Sequence, residues 1–224
     1  MTSSPLPQHH LPEEVLLDHA AGSLSEGMAL LVATHLALCP GCRAAATEFD
    51  ALGGALLAAI TPQALAPEAF EQVLARIDAD ELLPAAEAAA TAAHGLPLPL
   101  NDYVGSAVES LPWRRLLRGI ETAELKPRGA RSSEGFPVSL MRLAPSTAVP
   151  RHTHQGLEIT MVLQGGYSDA GLHYERGDVQ ISDASVDHRP VVADESSCLC
   201  LVYQDAPLRL TGPIGRWFNG FLRF

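Results

Sequence analysis

The sequence predicts an α+β protein of two domains, a small all-α N-terminal domain followed by an all-β C-terminal barrel of the jelly-roll type. Three observations predict this fold class. Helix-starting and helix-ending residues recur throughout residues 1–94, whereas beyond Gly95 the apolar residues come in short runs separated by Gly, Pro, Asp and Ser. The charge changes at the same point, since residues 1–94 hold 12 acidic and 2 basic residues (net −10) and residues 95–224 hold 14 and 13 (net −1).

Four helices are predicted in the first half. Pro12 and the acidic pair that follows it start the first helix, which ends at Gly22. Ser23-Leu24-Ser25-Glu26 has the form of a capping box, in which a serine hydroxyl and a glutamate carboxylate satisfy free backbone amides, so it opens the second helix. Pro40 cannot continue that helix but suits the first turn of a third. The predicted spans are residues 12–22, 23–39, 41–60 and 67–82.

The segment from Pro84 to Gly95 is rich in alanine and low in complexity, which is typical of a linker. We therefore expect a helical domain at residues 1–83, a linker at residues 84–97 and a β domain at residues 98–224. In the β domain, apolar runs predict strands at residues 138–144, 157–163, 178–182 and 197–203. Strands with this spacing favour a small antiparallel barrel.

The composition excludes several classes of protein. Apolar residues make up 47% of the 224 residues, which is enough to bury a core. With 26 acidic residues, 15 basic ones and a net charge of −11, an unaided nucleic-acid-binding protein is not expected. The longest run free of polar side chains, residues 51–60, is too short to cross a bilayer, and residues 1–10 lack a secretory signal. We therefore expect a cytoplasmic protein whose cysteines are metal ligands or core residues rather than disulfides.

A first group with metal-ligating chemistry lies at the end of the second predicted helix. His35 and Cys39 are four residues apart on one helix face, and Cys42 follows after an intervening turn. Two thiolates and an imidazole are ligands of tetrahedral structural zinc, and such a site needs a fourth ligand. If the first two helices are antiparallel, the chain before the first helix returns to Cys39, which makes His10 the candidate.

Alternatives stay open for this group. Cys39 and Cys42 also have the spacing of a redox pair or of two small core residues, although the strand that precedes a thioredoxin-like motif is not predicted. His9 competes with His10 for the fourth position. His19, near the end of the first predicted helix, is interpreted as a surface residue that complements the helix dipole.

A second group lies in the β domain. His152-Thr153-His154 is followed by Glu158 and, after six intervening residues, by Gly165, a pattern that resembles the first motif of cupin domains. Strand alternation places both histidines on one face, and the even offset lets Glu158 return to it. His188 supplies a fourth ligand from a later strand, since Gly177 and His188 have the spacing of the second cupin motif.

Three imidazoles and one carboxylate suit zinc, iron, manganese or nickel, and the sequence does not select among these metals. A metal-free barrel whose histidines only form hydrogen bonds is the alternative. The cupin pattern is imperfect, because Asp183 and Ser185 replace the usual Pro and Gly, Val192 replaces the usual Asn, and Ser146 replaces the Gly ahead of the first motif. All four ligand positions are nevertheless filled.

Two resemblances rest on these motifs. His10, together with the run His35-Leu36-Ala37-Leu38-Cys39-Pro40-Gly41-Cys42, resembles the zinc-binding anti-sigma domain family, whose small helical domains clamp extracytoplasmic-function sigma factors. Joined to a C-terminal cupin, it resembles the ChrR family of anti-sigma factors over essentially the whole chain. That resemblance implies an N-terminal domain that sequesters a sigma factor, a cupin that is needed to release it under singlet-oxygen or peroxide stress, and zinc at both sites.

The charge of the first half supports the same partner. A net charge of −10 can attract and mask the basic DNA-binding surface of a sigma factor, although a solvated acidic helix face explains the same excess.

The main alternative function is a metal-dependent oxygenase or isomerase with a helical oligomerisation module. No general base or substrate clamp is evident in the sequence, so a non-enzymatic regulator is predicted.

Cys198 and Cys200 are interpreted as core residues on one strand face, with a redox role as the alternative.

Overall fold

The computed structural model describes residues 6–79, 95–105, 107–127 and 137–212. Within these ranges, helices come first and strands dominate the remainder, which confirms the predicted fold class. The helices are α1 (Glu13–Ala20), α2 (Glu26–Leu38), α3 (Pro40–Ala58), α4 (Ala69–Ala79) and α5 (Leu98–Val104). The strands are β1 (Arg114–Leu117), β2 (Ile120–Glu124), β3 (Val138–Leu143), β4 (His152–His154), β5 (Glu158–Gln164), β6 (Gly166–Asp169), β7 (Leu172–Glu175), β8 (Val179–Ser182), β9 (Cys198–Gln204) and β10 (Leu208–Leu210).

The first three helices begin and end within three residues of their predicted bounds. The predicted cap of α2 is wrong in one respect: Ser25, not Ser23, caps the helix, and its hydroxyl accepts a hydrogen bond from Met28 N at 3.4 Å. Ser23 Oγ instead donates to Asp18 O at 3.0 Å. The reason is that the chain reverses after α1 at Gly22, which adopts a φ of +67°, and Ser23 belongs to that turn.

The second half of the helical region departs further from the prediction. The fourth helix is observed at Ala69–Ala79, while residues 80–82 of its predicted span and residues 84–94 of the predicted linker lie outside the described residues. The two domain boundaries, after residue 83 and after residue 97, stay a prediction. Helix α5 was not predicted; it lies where the β domain was expected to begin, and it packs against α2.

The strands form one six-stranded antiparallel sheet in the order β1-β2-β3-β9-β5-β8 and two two-stranded sheets, β10-β4 and β6-β7. The four predicted strands match β3, β5, β8 and β9 to within one residue at each end. β4 carries the two histidines that were expected on one strand face. The five strands that were not predicted, β1, β2, β6, β7 and β10, have three to five residues and carry polar or charged side chains, so their alternation gives little signal. His188 was expected on a strand but lies in the loop after β8, where an isolated bridge pairs it with His152 of β4.

The central strands of the large sheet are buried on both faces. On β9, Leu201 and Tyr203 belong to a core that also contains Leu31 and Val32 of α2. The alternate β9 residues, such as Cys200, belong to a second core inside the barrel. The helical and β regions therefore share one hydrophobic core, and their packing fixes where the N-terminal helices lie on the barrel.

Helix α2 is apolar on every side, as expected for a helix that is enclosed by its neighbours. Its buried positions run from Gly27 to His35, and it contacts α1, α3, α5 and β9. Within the described residues, no single helix has both the length and the apolarity to cross a membrane. Only α2 and α3 taken together meet those two criteria, as a pair bent by 118°.

Gly27 marks a close approach between α2 and the large sheet. A Cβ atom at this position would lie 2.7 Å from Val138 Cγ2. We expect Gly27→Ala to lower the free energy of unfolding by about 1–3 kcal/mol, because the β-branched Val138 cannot rotate away without strain. Gly54→Ala on α3, where the space is open, is the control and is expected to raise it by up to about 1 kcal/mol. Urea unfolding measures both, and equal effects would contradict this packing.

Candidate metal centres

The structure brings together His10, His35, Cys39 and Cys42, and we call this group the N-terminal centre. One ligand atom from each residue lies within 4.8 Å of the others. His10 Nδ1 is 3.3 Å from Cys39 Sγ and 3.6 Å from Cys42 Sγ. The turn between α2 and α3 sets the cysteine positions, since Cys39 is the N-cap of α3 and its Sγ accepts a hydrogen bond from Cys42 N at 3.4 Å.

His35 is the most buried histidine of this centre. Its Nδ1 donates to the carbonyl oxygen of Gly177 at 2.9 Å, so its Nε2 carries a lone pair. That Nε2 is buried and has no hydrogen-bond partner among the described residues. Burial lowers the pKa of His35 to about 4, which keeps the imidazole neutral at pH 7. An unpartnered buried lone pair next to two thiols fits a bound cation.

The thiols of the N-terminal centre point to the same conclusion. Burial raises the pKa of Cys42 to about 11, so in the absence of a cation this thiol keeps its proton. A divalent metal reverses that effect, because a coordinating thiol is deprotonated. Two sulfur and two imidazole donors are a ligand set for tetrahedral zinc. His10 is exposed, whereas the other three ligands are buried, so solvent reaches the centre from the side of His10.

The competing residues are placed elsewhere. His9, two residues before Leu11, points away from the cysteines: its Nε2 lies 3.2 Å from the carbonyl oxygen of His173, and its ring lies 4.5 Å from that of Tyr174. His19 is half-buried in the last turn of α1, in the position that the dipole argument predicts. The prediction of His10 rather than His9 is therefore the one that the geometry supports.

The second group, which we call the C-terminal centre, joins His152, His154, Glu158 and His188, again with ligand atoms within 4.8 Å of one another. His154 Nε2 is 3.0 Å from His188 Nε2, which is 3.1 Å from His152 Nε2. His152 Nδ1 donates to Pro150 O at 2.8 Å. His188 Nδ1 lies 2.8 Å from a carboxylate oxygen of Asp169. With both Nδ1 atoms donating, two Nε2 lone pairs face each other, and a shared cation makes that contact favourable.

Burial controls the protonation of the C-terminal centre. It lowers the pKa of His152 and of His154 to about 4, so both are neutral at pH 7. It raises the pKa of Glu158 to about 7, because a carboxylate is poorly solvated there. A divalent cation would offset that cost and restore the charged carboxylate. Three nitrogen donors and one oxygen donor accommodate zinc, iron, manganese or nickel, and the geometry does not select one.

Asp169 is a candidate outer-shell residue of the C-terminal centre that the sequence did not indicate. Its carboxylate accepts from His188 Nδ1 at 2.8 Å, from Gln180 Nε2 at 2.6 Å and from Arg189 N at 3.1 Å. Although burial opposes it, the hydrogen bonds from Gln180 and His188 hold the pKa of Asp169 below its usual value. Such carboxylate partners orient metal-ligating histidines. No spacing rule links Asp169 to His188, so the sequence offered no signal for it.

Cys198 and Cys200 lie in the inner core of the barrel with their Sγ atoms 3.5 Å apart. The hydrogen bond between the two thiols and their burial raise the pKa of Cys200 well above its usual value. Both cysteines are free thiols. Their position agrees with the interpretation as core residues.

Comparison with known proteins identifies the family. Residues 102–207 match the family described as the ChrR cupin-like domain. The chain is 38% identical to the anti-sigma-E factor ChrR of Cereibacter sphaeroides over 216 residues, which cover 96% of this chain and 98% of the relative. The chain belongs to the ChrR family of anti-sigma factors. ChrR proteins are regulators rather than enzymes, so the oxygenase or isomerase alternative is not supported.

A solved structure extends the likeness to the whole fold. The crystal structure of Rhodobacter sphaeroides SigE in complex with the anti-sigma ChrR matches with a TM-score of 0.75 and 37% identity, and the match covers 89% of this chain and 100% of that chain. The relation to ChrR thus includes the helical region as well as the cupin-like domain. Both candidate metal centres lie within this ChrR-like fold.

Proposed function

We propose that this ChrR-family protein sequesters an extracytoplasmic-function sigma factor through its helical domain, and that singlet oxygen or a peroxide acting at the C-terminal centre releases it. The sigma factor acts with RNA polymerase, so the proposed compartment is the cytoplasm. The observation that carries the proposal is an apolar surface on α3 and α4 that nothing in the described chain covers. The ChrR relative of known structure is in complex with SigE, which gives the class of partner.

The apolar surface has the form of a partner-binding helix face. Phe70, Val73, Leu74 and Ile77 of α4 recur at the i, i+3, i+4, i+7 spacing of one helix stripe, and Phe70 and Ile77 are 68% and 63% exposed. None of the described side chains of α4 is buried. An amphipathic helix of 11 residues is marginal in water unless its apolar face is packed, so this stripe is suited to a groove on another protein.

The end of α3 also exposes apolar side chains. Leu52, Leu56 and Leu57 are 54%, 64% and 71% exposed, whereas Leu30 and Leu31 of α2 are 4% and 0% exposed. Groups of exposed apolar side chains on a helix mark interaction sites. Residues 1–94 carry a net charge of −10, which complements the basic surfaces by which sigma factors meet DNA.

The C-terminal centre supports the release step. Its candidate ligands are three imidazoles, which are oxidisable side chains, and one carboxylate, so that loss of one ligand would open a four-ligand zinc site. A signal must change the relative stability of the bound and free states by several kcal/mol to move the equilibrium decisively. Zinc is the proposed metal in both centres, and a metal-binding event at the C-terminal centre can supply free energy of that size.

We expect the double substitution Phe70→Asp and Ile77→Asp to weaken sigma-factor binding by roughly 30- to 1,000-fold. Two apolar side chains that become buried in the complex contribute about 2–4 kcal/mol to the binding free energy. The sigma factor that co-purifies with the full chain from its native cells is the ligand, and calorimetry measures the affinity. Leu172→Asp, at a 51% exposed position of β7, is the control and should bind normally. Normal affinity of the double variant, or recovery of no sigma factor from the cells, would overturn the proposal.

A further inference from the structure

The turn before β8 connects the barrel to the N-terminal centre. The carbonyl oxygen of Gly177 accepts the hydrogen bond from His35 Nδ1 at 2.9 Å. Gly177 has a φ of +94°, and a Cβ on it would lie 2.6 Å from Pro7 Cγ. Two features therefore favour glycine at position 177. Its positive φ disfavours residues with a side chain, and a Cβ atom would meet the N-terminal segment at Pro7. The barrel backbone supplies an outer-shell partner to a ligand of the other domain.

Asp178 fastens the segment that carries the ligand His10. Its Oδ1 accepts hydrogen bonds from Gln8 N at 2.6 Å and from His9 N at 2.9 Å, and its Oδ2 accepts one from Glu175 N at 2.8 Å. A further bond runs from Val179 N to His9 O at 3.2 Å. Asp178 is 3% exposed, and its carboxylate is stabilised by three backbone amides. The position of His10 therefore depends on β8.

Gln180, two residues after Asp178 and on β8, contacts the C-terminal centre through Asp169. Gln180 Nε2 donates to Asp169 Oδ2 at 2.6 Å, and that oxygen lies 2.8 Å from His188 Nδ1. Gln180 Oε1 accepts from Tyr167 at 2.9 Å, which holds the amide in one orientation. An open cleft of about 500 Å³ lies between the two centres, and its walls include His10 and His188.

We propose that the segment Gly177–Gln180 couples the two metal centres, so that occupancy of the C-terminal centre changes the metal affinity of the N-terminal centre. The segment forms an outer-shell contact with His35, holds the chain next to His10, and reaches His188 through Gln180 and Asp169. Outer-shell partners set the orientation of metal ligands, and a coupling free energy acts equally in both directions. This inference rests on the proposed metal binding at both centres, and it gives a physical route by which the barrel reaches the sigma-binding domain.

Cobalt(II) titration of the full chain tests the coupling. Only the N-terminal centre contains cysteine ligands, so thiolate-to-cobalt charge-transfer absorption reports its occupancy separately from that of the C-terminal centre. Chelator competition then gives the affinity of the N-terminal centre, and total cobalt analysis gives the occupancy of the other. We expect Glu158→Ala, which empties the C-terminal centre, to change the N-terminal affinity by about 10-fold in an otherwise natural chain. In a chain that also carries Gln180→Leu, Glu158→Ala should change it less than about twofold.

Asp178→Asn tests the hydrogen bonds that hold the backbone of Gln8 and His9 next to the ligand His10. The amide keeps the size of the side chain but is not a charged acceptor. We expect the N-terminal cobalt affinity to fall about 10- to 100-fold while cobalt at the C-terminal centre is retained. Asp194→Asn is the control, since Asp194 also accepts a hydrogen bond, from Ser146 Oγ at 2.7 Å, and neither residue of that bond is a ligand or a neighbour of one. Unchanged affinity in Asp178→Asn, or a Glu158→Ala effect that persists with Gln180→Leu, would overturn the coupling alone. Absence of the charge-transfer band from the natural chain would overturn the metal assignment and the coupling with it.

Discussion

Cys42→Ser is expected to abolish metal binding at the N-terminal centre and, with it, the sequestration of the sigma factor. Cys42 is 5% exposed, and its Sγ lies 3.6 Å from His10 Nδ1, at the junction of α2 and α3. Loss of an outer-shell partner alone costs about 10- to 100-fold in metal affinity, so loss of a thiolate ligand should cost well over about 100-fold. In small metal-binding domains the metal affinity is also folding free energy, so the helices lose their arrangement when the ion is lost.

Metal analysis and sigma-factor binding by calorimetry measure this pair of effects. Cys200→Ser is the matched control, because Cys200 is also a buried free thiol but lies in the inner core of the barrel, away from the N-terminal centre. The control should keep its N-terminal metal and its sigma-factor affinity. A Cys42→Ser protein with the natural metal content and full inhibition of the sigma factor would show that the N-terminal centre is not a metal site.

The second large effect is expected from Glu158→Ala, which should leave sequestration intact and remove the response to oxidant. Glu158 begins β5, is 8% exposed and is the only carboxylate among the ligands of the C-terminal centre. Without it, three neutral imidazoles face the ion with no negative charge, so the metal affinity of this centre should fall by well over about 100-fold. The two centres share no ligand, so at saturating zinc the N-terminal centre should stay occupied.

A sigma-dependent reporter in cells that carry the full chain measures the outcome. The natural protein should repress the reporter until singlet oxygen or a peroxide is supplied, whereas the Glu158→Ala protein should repress it before and after. Glu195→Ala, at an exposed carboxylate in the loop before β9, is the control and should respond normally. Normal release by Glu158→Ala would show that the C-terminal centre is not the sensor. Failure to repress at all would contradict the proposal that the helical domain sequesters the sigma factor without the C-terminal metal.

The spacing of residues in the sequence was enough to predict several ligand groups and strands. His35 lies on α2, Cys39 joins α2 to α3, and Cys42 lies in the first turn of α3, so their local spacing brings them together. His152 and His154 lie on one strand face for the same local reason. His10 required one assumption about the direction of α1, and the structure agrees with it. Strands β3, β5 and β9 were found because their apolar runs are long, whereas β6 and β7 were missed because polar residues make up much of each short strand.

The sequence by itself thus predicted the fold class and, through the resemblance to ChrR, the family, and it proposed two ligand sets whose members the structure brings together. The packing of α2 on the barrel had one available signal, because a helix that is apolar on every face needs neighbours on every face. Only the tertiary structure revealed the contacts made by Gly177, Asp178 and Asp169. Gly177 acts through a backbone carbonyl, which every residue has, and Asp178 meets backbone amides 169 and 170 positions away. Contacts of this kind depend on how the chain closes on itself, and no pattern of neighbouring residues encodes them.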